Sequence, residues 1–205
     1  MKVLVVSFIG VLIAGSAFAS PERYDGHWWL QLSKDQQQEF ISGADDCVRY
    51  DLKRPEVFHG SYSGWSGAIT VWYQSHPAAL ADKVMFVSHR ALSPEAGWKP
   101  VRGEAYPEKH GYFDSSYYWQ ADRNRAFFVE GYLDCRVSYF HDVLRHPVDD
   151  YVQQLDDWFG YDSQSNVSPV RRAYQKKHEG QKIGTVLDRI LRSERNVSAA
   201  DIPKQ

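Results

Sequence analysis

Two aspartates are placed where they could do chemistry. Asp46 lies near the end of the run Phe40-Ile41-Ser42-Gly43-Ala44-Asp45-Asp46-Cys47, and Asp134 near the end of Phe128-Val129-Glu130-Gly131-Tyr132-Leu133-Asp134-Cys135. Both runs read Phe-(Ile/Val)-x-Gly-x-x-Asp-Cys. If the segments carrying them meet, the two carboxylates could face one another and work as a general acid and a general base. The plainer alternative is that each carboxylate caps or hydrogen-bonds a neighbouring aromatic loop. Two such loops are present: Tyr24-Asp25-Gly26-His27-Trp28-Trp29 ahead of the first run, and Tyr112-Phe113-Asp114-Ser115-Ser116-Tyr117-Tyr118-Trp119 ahead of the second. If exposed, Trp28, Trp29, Tyr118 and Trp119 would stack on sugar rings, with Asp25 and Asp114 beside them. If buried, they would cover the edge of the core, because aromatic rings bury much area and dominate small cores.

Other chemistries find less support. Cys47 and Cys135 are the 2 cysteines of the chain. In an oxidising compartment they are most simply a disulfide; two buried thiols and a catalytic cysteine are the alternatives. The 8 histidines are scattered, with no His-Glu-x-x-His or Cys-x-x-Cys spacing to suggest a metal site. His141 and His146 are five apart, which does not place both squarely on one helical face, and Pro147 breaks the helix there. Gly64-Trp65-Ser66-Gly67 lacks the spacing of a nucleophile elbow, and no phosphate-binding or dinucleotide fingerprint occurs. No catalytic residue, metal ligand or cofactor is assigned.

The elements that must position these groups follow from a repeat. With Cys47 set against Cys135, Trp65, Ile69, Trp72 and Tyr73 share their spacing with Tyr151, Leu155, Trp158 and Phe159. His76-Pro77 and Ser168-Pro169 then each stand where another helix could open with proline in its first turn. The chain therefore reads as an internal duplication: two units, each an aromatic entry loop followed by three helices, packed as one all-α domain. Ser33 and Gln36 form a capping-box signature for a helix over 34–51. Apolar periodicity predicts further helices over 63–75, 77–92, 123–142 (with Asp122 as N-cap), 147–159 and 169–192. The first repeat spans 20–92, a Pro- and Gly-punctuated linker 93–111, the second repeat 112–192, and a frayed tail 193–205.

Glycine inside a helix costs roughly 1 kcal/mol relative to alanine, so a close approach of another backbone should offset it. Phe40, Gly43 and Cys47 fall on one stripe, as do Phe128, Gly131 and Cys135. The expectation is a central pair of helices meeting at these glycines and pinned by Cys47–Cys135.

Composition narrows the partners. The chain has 205 residues, 24 Lys plus Arg against 26 Asp plus Glu, and is 43% hydrophobic. Near-neutral charge argues against nucleic acid or an acidic membrane surface as a generic partner. Abundant aromatics argue against a disordered chain. Residues 1–19 read as a signal peptide, with Lys2, the apolar stretch Val3–Ile13 and Ala17-Phe18-Ala19 before the cleavage point. That stretch is shorter than the roughly 20 residues of a membrane span. The expected mature chain is exported, to the periplasm or beyond, with no span after cleavage.

The Gly131-Tyr132-Leu133-Asp134-Cys135 block and the Asp25-Gly26-His27-Trp28-Trp29 loop resemble a group of uncharacterised exported bacterial proteins with Asp-Gly-x-x-Trp and Gly-Tyr-Leu-Asp-Cys-like blocks. More loosely, the motif helix is similar to one in the helical periplasmic immunity proteins that neutralise type VI amidase effectors (the Rap/Tai group). The resemblance implies a non-enzymatic protein that binds an envelope or extracellular partner. A glycan-binding protein or cell-wall hydrolase using Asp46, Asp134 and the aromatic loops is the alternative.

Overall fold

The computed structural model describes residues 24–52, 61–93, 97, 113–161 and 169–195. The leader, nearly all of the linker and the end of the tail lie outside the described residues. Among those described, the regular structure is helical, and the only strand-like pairings are two isolated bridges.

The first loop condenses into a single helical turn, α1 (Gly26–Trp29), because the Asp25 carboxylate accepts the Trp28 N–H at 2.9 Å. Helix α2 (Lys34–Leu52) opens on the expected capping box. Gln36 N–H donates to Ser33 Oγ at 3.2 Å, and Ser33 N–H donates to Gln36 Oε1 at 2.8 Å. Ser61 Oγ starts α3 (Tyr62–Ser75) by accepting from Gly64 N–H. The helix expected over 77–92 is shorter than its periodicity implied. Pro77–Ala79 makes only a 3₁₀ turn, and α4 runs Val84–Ala91. The intervening chain is drawn out because Lys83 is extended and bridges to Asp25, with Val84 N–H donating to Tyr24 O at 2.8 Å.

The second half follows a similar order. Asp114 caps α5 (Ser115–Ala121), accepting from Ser116 N–H at 3.0 Å. Asp122 is not the N-cap expected of it: with φ 44° it turns the chain into a 3₁₀ segment, and α6 begins at Arg125 and ends at Phe140. The Asp122 carboxylate instead accepts from the Tyr161 hydroxyl. Helix α7 (Val148–Phe159) stops at Gly160, whose φ of 62° suits glycine. The single helix expected over 169–192 is two, α8 (Pro169–Lys177) and α9 (Ile183–Arg195), separated by a turn at Gly180 with φ 73°.

Helices α2 and α6 cross at the centre. A Cβ on Gly43 would overlap the Phe128 carbonyl, lying 2.7 Å from its carbon, and a Cβ on Gly131 would lie 2.8 Å from the Phe40 carbonyl carbon. Each glycine thus admits the backbone at the phenylalanine of the opposite helix. One turn on, Cys47 and Cys135 are joined by a disulfide with their Cα atoms 6.2 Å apart. Both sulfurs are buried, as are Phe40 and Phe128.

The flanks are built from matched positions. Trp65, Ile69 and Tyr73 are buried on α3, and Tyr151, Leu155 and Phe159 on α7. The bridge between Asp25 and Lys83 has a counterpart between Asp114 and Lys182, where Ile183 N–H donates to Phe113 O at 2.9 Å. In the second half a carboxylate locks three helices. Asp156 accepts from Arg125 Nε and Nη2 at 2.9 and 2.8 Å and from the Tyr118 hydroxyl at 2.8 Å. That network holds the Arg125 guanidinium firmly charged, and burial beside Asp156 pushes the Tyr118 phenol above its ordinary range.

Candidate functional site

The crossing of α2 and α6 brings the two sequence motifs together but turns their aspartates apart. Asp46 is buried and reaches into the C-terminal half, where its Oδ1 accepts from Phe113 N–H at 3.3 Å. Its Oδ2 faces α9, lying 3.3 Å from where a Cβ on Gly184 would stand. Asp134 is buried on the other flank, with the Lys83 charge and the Ser138 side chain as its neighbours. The carboxylates therefore do not form the facing acid/base pair considered from the sequence. Asp46 does what the plainer alternative required, holding the entry loop of the other half.

Asp134 is buried without full compensation. Its Oδ2 is buried without a hydrogen-bond partner. Burial pushes its carboxyl up to about 7, and the Lys83 ammonium offsets only part of that desolvation. The folded pKa thus lies above the unfolded value, near 4. This group favours the folded state fully below pH about 4, and the contribution is lost as pH rises through about 7. The loss is on the order of 4 kcal/mol by linkage. Asp134→Asn should leave stability near pH 4 little changed and raise it at pH 8, flattening a melting-temperature profile measured across that interval. An unchanged profile would show that Asp134 stays ionised in the fold.

The aromatic loops are positioned inward. Trp29 is fully buried with its indole N–H donating to Thr70 Oγ1 at 3.0 Å, and Tyr118 is buried against Asp156 and Phe159. Neither can stack on a sugar ring from outside, which corrects that expectation for both. Trp28 and Trp119 are half-buried. Trp28 packs edge-on against Phe40, and the Trp119 indole N–H donates to Phe159 O at 3.1 Å. Asp25 and Asp114 are N-caps, so their side-chain oxygens are committed to backbone N–H groups.

A polar seam along α2 was not legible in the motifs. The Tyr117 hydroxyl donates to Glu39 Oε2 at 2.6 Å, the Tyr62 hydroxyl donates to Asp45 Oδ2 at 2.9 Å, and Arg49 Nε donates to Asp45 Oδ1 at 2.7 Å. Burial raises the Glu39 carboxyl above the usual carboxylate range, and it raises both phenols as well. The seam ties α2 to α3 and α5.

An open groove of about 410 Å³ lies between α7, α8 and α9, lined by Trp158, Tyr174, Val186 and Ile190 with Gln154, Asp157, Arg189 and Ser193. Sequence reading missed it. The one signal was a shift in charge: Pro169–Arg195 carries eight Lys and Arg against three Asp and Glu, in a chain with 24 against 26 overall. Among the described residues, no cluster of three or more His, Cys, Asp or Glu is arranged to hold a metal ion, and no helix is long and apolar enough to cross a membrane.

Fold and site define an all-α protein with a disulfide-pinned helix crossing at its centre. Compared with family models, curated proteins and solved structures, the chain matches none.

Proposed function

We propose that this is an exported, non-enzymatic helical protein that acts by binding a protein partner in the cell envelope or outside the cell. An immunity-type inhibitor of a secreted effector is one specific form of that activity. The observation that carries the reading is where the motif side chains are spent. Asp25 and Asp114 cap helices, Asp46 holds the Phe113 backbone, and Trp29 and Tyr118 are buried in the core. A fold that commits these groups to its own architecture leaves its outer helix faces to do the recognising. Export is supported by the leader read in residues 1–19 and by the Cys47–Cys135 disulfide, a bond that persists in oxidising compartments.

The two halves are, on the same reading, copies of one helical unit. The support is the reciprocal contact of Gly43 and Gly131 and the matched bridges of Asp25 with Lys83 and Asp114 with Lys182.

The test is affinity capture from envelope extract with the tagged mature chain, followed by reconstitution with the purified candidate. The expected result is a stoichiometric complex with one protein. Turnover of peptidoglycan that disappears in Asp46→Asn or Asp134→Asn would overturn the reading in favour of a hydrolase.

A further inference from the structure

We propose that Asp134 is a proton-operated latch: carrying a proton it keeps the first entry loop and α4 closed against α6, and once ionised it lets that flank open. The inference goes beyond the partner-binding reading and does not depend on it.

The surroundings of Asp134 are the first reason. The residue is 2% exposed, and its Oδ2 is buried without a hydrogen-bond partner. Lys83, the N-cap of α4, brings an opposing charge, and Ser138 stands one turn on along α6. From α3, Tyr73 feels the charges of Asp25, Asp82 and Asp134 together. Its hydroxyl donates to Asp82 O at 2.9 Å, so its one proton is committed there. The Asp82 carboxylate is paired with Arg90 at 3.1 Å. Further along, His89 of α4 is bonded to the Tyr139 hydroxyl of α6, and burial holds the imidazole below its ordinary range. Helix α2 meets α6 at Phe40, Gly43, Ala44 and Cys47, which carry no charge.

The second reason is a contrast between the halves. Asp46 accepts from Phe113 N–H at 3.3 Å and so ties down the second entry loop, through a bond that an ionised carboxylate strengthens. The first half builds the same junction. Gly26 N–H donates to Leu80 O and Val84 N–H to Tyr24 O, as Ser115 N–H does to Gln181 O and Ile183 N–H to Phe113 O. Beside that first junction, however, Asp134 buries an oxygen with no partner. Burial keeps its carboxyl protonated up to about 7, whereas in water the group titrates near 4. Ionised in place, the carboxylate is left short of hydrogen bonds, and admitting water relieves that cost. The flank carrying Lys83 is the part able to yield: α1 has 4 residues and α4 has 8, while α2 and α6 are interlocked at their glycines and joined by the disulfide. Its opening exposes Val84, Met85 and Val87, which are otherwise buried. The closed form binds the extra proton, so the opening constant rises about tenfold per pH unit between about 4 and about 7, then levels off.

The test is native-state hydrogen exchange on the oxidised mature chain between about pH 4.5 and about pH 6.5, with rates corrected for the intrinsic pH dependence of exchange. The Gly26 and Val84 amides should exchange through an opening that depends little on urea and becomes about tenfold more frequent per pH unit. Their counterparts at Ser115 and Ile183 should show no such local opening. Asp134→Asn should make the opening at Gly26 and Val84 independent of pH, which also separates Asp134 from His89. A carboxyl-carbon NMR titration of Asp134 in the wild type gives a readout that needs no variant, with its midpoint expected at about 7. The proposal is overturned by a pH-independent opening at Gly26 and Val84, or by an Asp134 midpoint near 4. It is equally overturned if those amides exchange only with the urea dependence of Ser115 and Ile183, or if the rise persists in Asp134→Asn.

Discussion

Gly43→Ala and Gly131→Ala should each destabilise the protein by about 3 kcal/mol, the upper end of the usual cost of overpacking, and Gly43→Val should prevent folding. The added carbon at Gly43 would stand 2.7 Å from the Phe128 carbonyl carbon and 3.0 Å from its Cα. At Gly131 it would stand 2.8 Å from the Phe40 carbonyl carbon and 3.1 Å from Ala44 N. These are backbone atoms of a packed helix, so no side chain can rotate away to make room. The helices would have to separate, and the buried phenylalanines beside the glycines would lose their packing. Gly67→Ala provides the internal control. It too replaces a helical glycine, but a Cβ there meets nothing within 4 Å. Alanine should therefore stabilise by about 0.5–1 kcal/mol through propensity alone. Urea titration of the three variants would show opposite signs for one chemical change. A neutral Gly43→Ala would mean that α2 and α6 do not touch there.

Loss of the disulfide should have the next largest effect. Cys47 and Cys135 are 88 residues apart, and closing a loop of that size stabilises by about 4–5 kcal/mol on the chain-entropy model. In a chain of this size that corresponds to a fall of roughly 10–20 °C in melting temperature. Cys47→Ala combined with Cys135→Ala, or reduction after brief unfolding, should show it in a thermal scan. Because both sulfurs are buried, the native oxidised protein should resist alkylation and gain two hydrogens in mass only on reduction. Two thiols alkylated under native, non-reducing conditions would contradict the pairing. The disulfide lies one turn from the glycine contacts on the same helices. The Gly43 substitution and the cysteine pair should therefore couple non-additively.

How far the sequence carried the structure depended on whether a signal was local. Ser33 and Gln36 announce α2 because a capping box involves four consecutive residues and little else. Gly43 and Gly131 were legible because a glycine in a helix needs a reason, and the stripe they share with Phe40, Cys47, Phe128 and Cys135 supplied one. Pro77 misled because its fixed φ suits a 3₁₀ turn as well as the start of an α-helix. The pairing of Lys83 with Asp25, some sixty residues away, then drew the chain out. Asp122 misled for a related reason: its long-range bond to Tyr161 outweighs the capping role its residue type favours. Gly180 stands inside the stretch 169–192 whose periodicity predicts one helix, and periodicity does not distinguish a helical glycine from the left-handed turn between two.

The site was harder to read. Residue type alone does not distinguish a tryptophan that covers the core from one that greets a ligand, and Trp29 and Tyr118 are of the first kind. Nor does the shared motif reveal that Asp46 and Asp134 leave the crossing on opposite flanks. That depends on how the helices cross, and Phe113 and Lys83 mark the two sides. The groove at α8 left only its charge in the sequence. Its walls come from three helices whose mutual placement is set by the core.

The close approach of α2 and α6 can be observed directly by nuclear Overhauser spectroscopy on protein labelled at glycine, phenylalanine and alanine, with the disulfide intact. Contacts from Gly43 Hα to Phe128 Hα and from Gly131 Hα to the Ala44 amide proton should both appear in one sample. Absence of both, in a folded and oxidised protein, would contradict the account of two halves joined at their glycines.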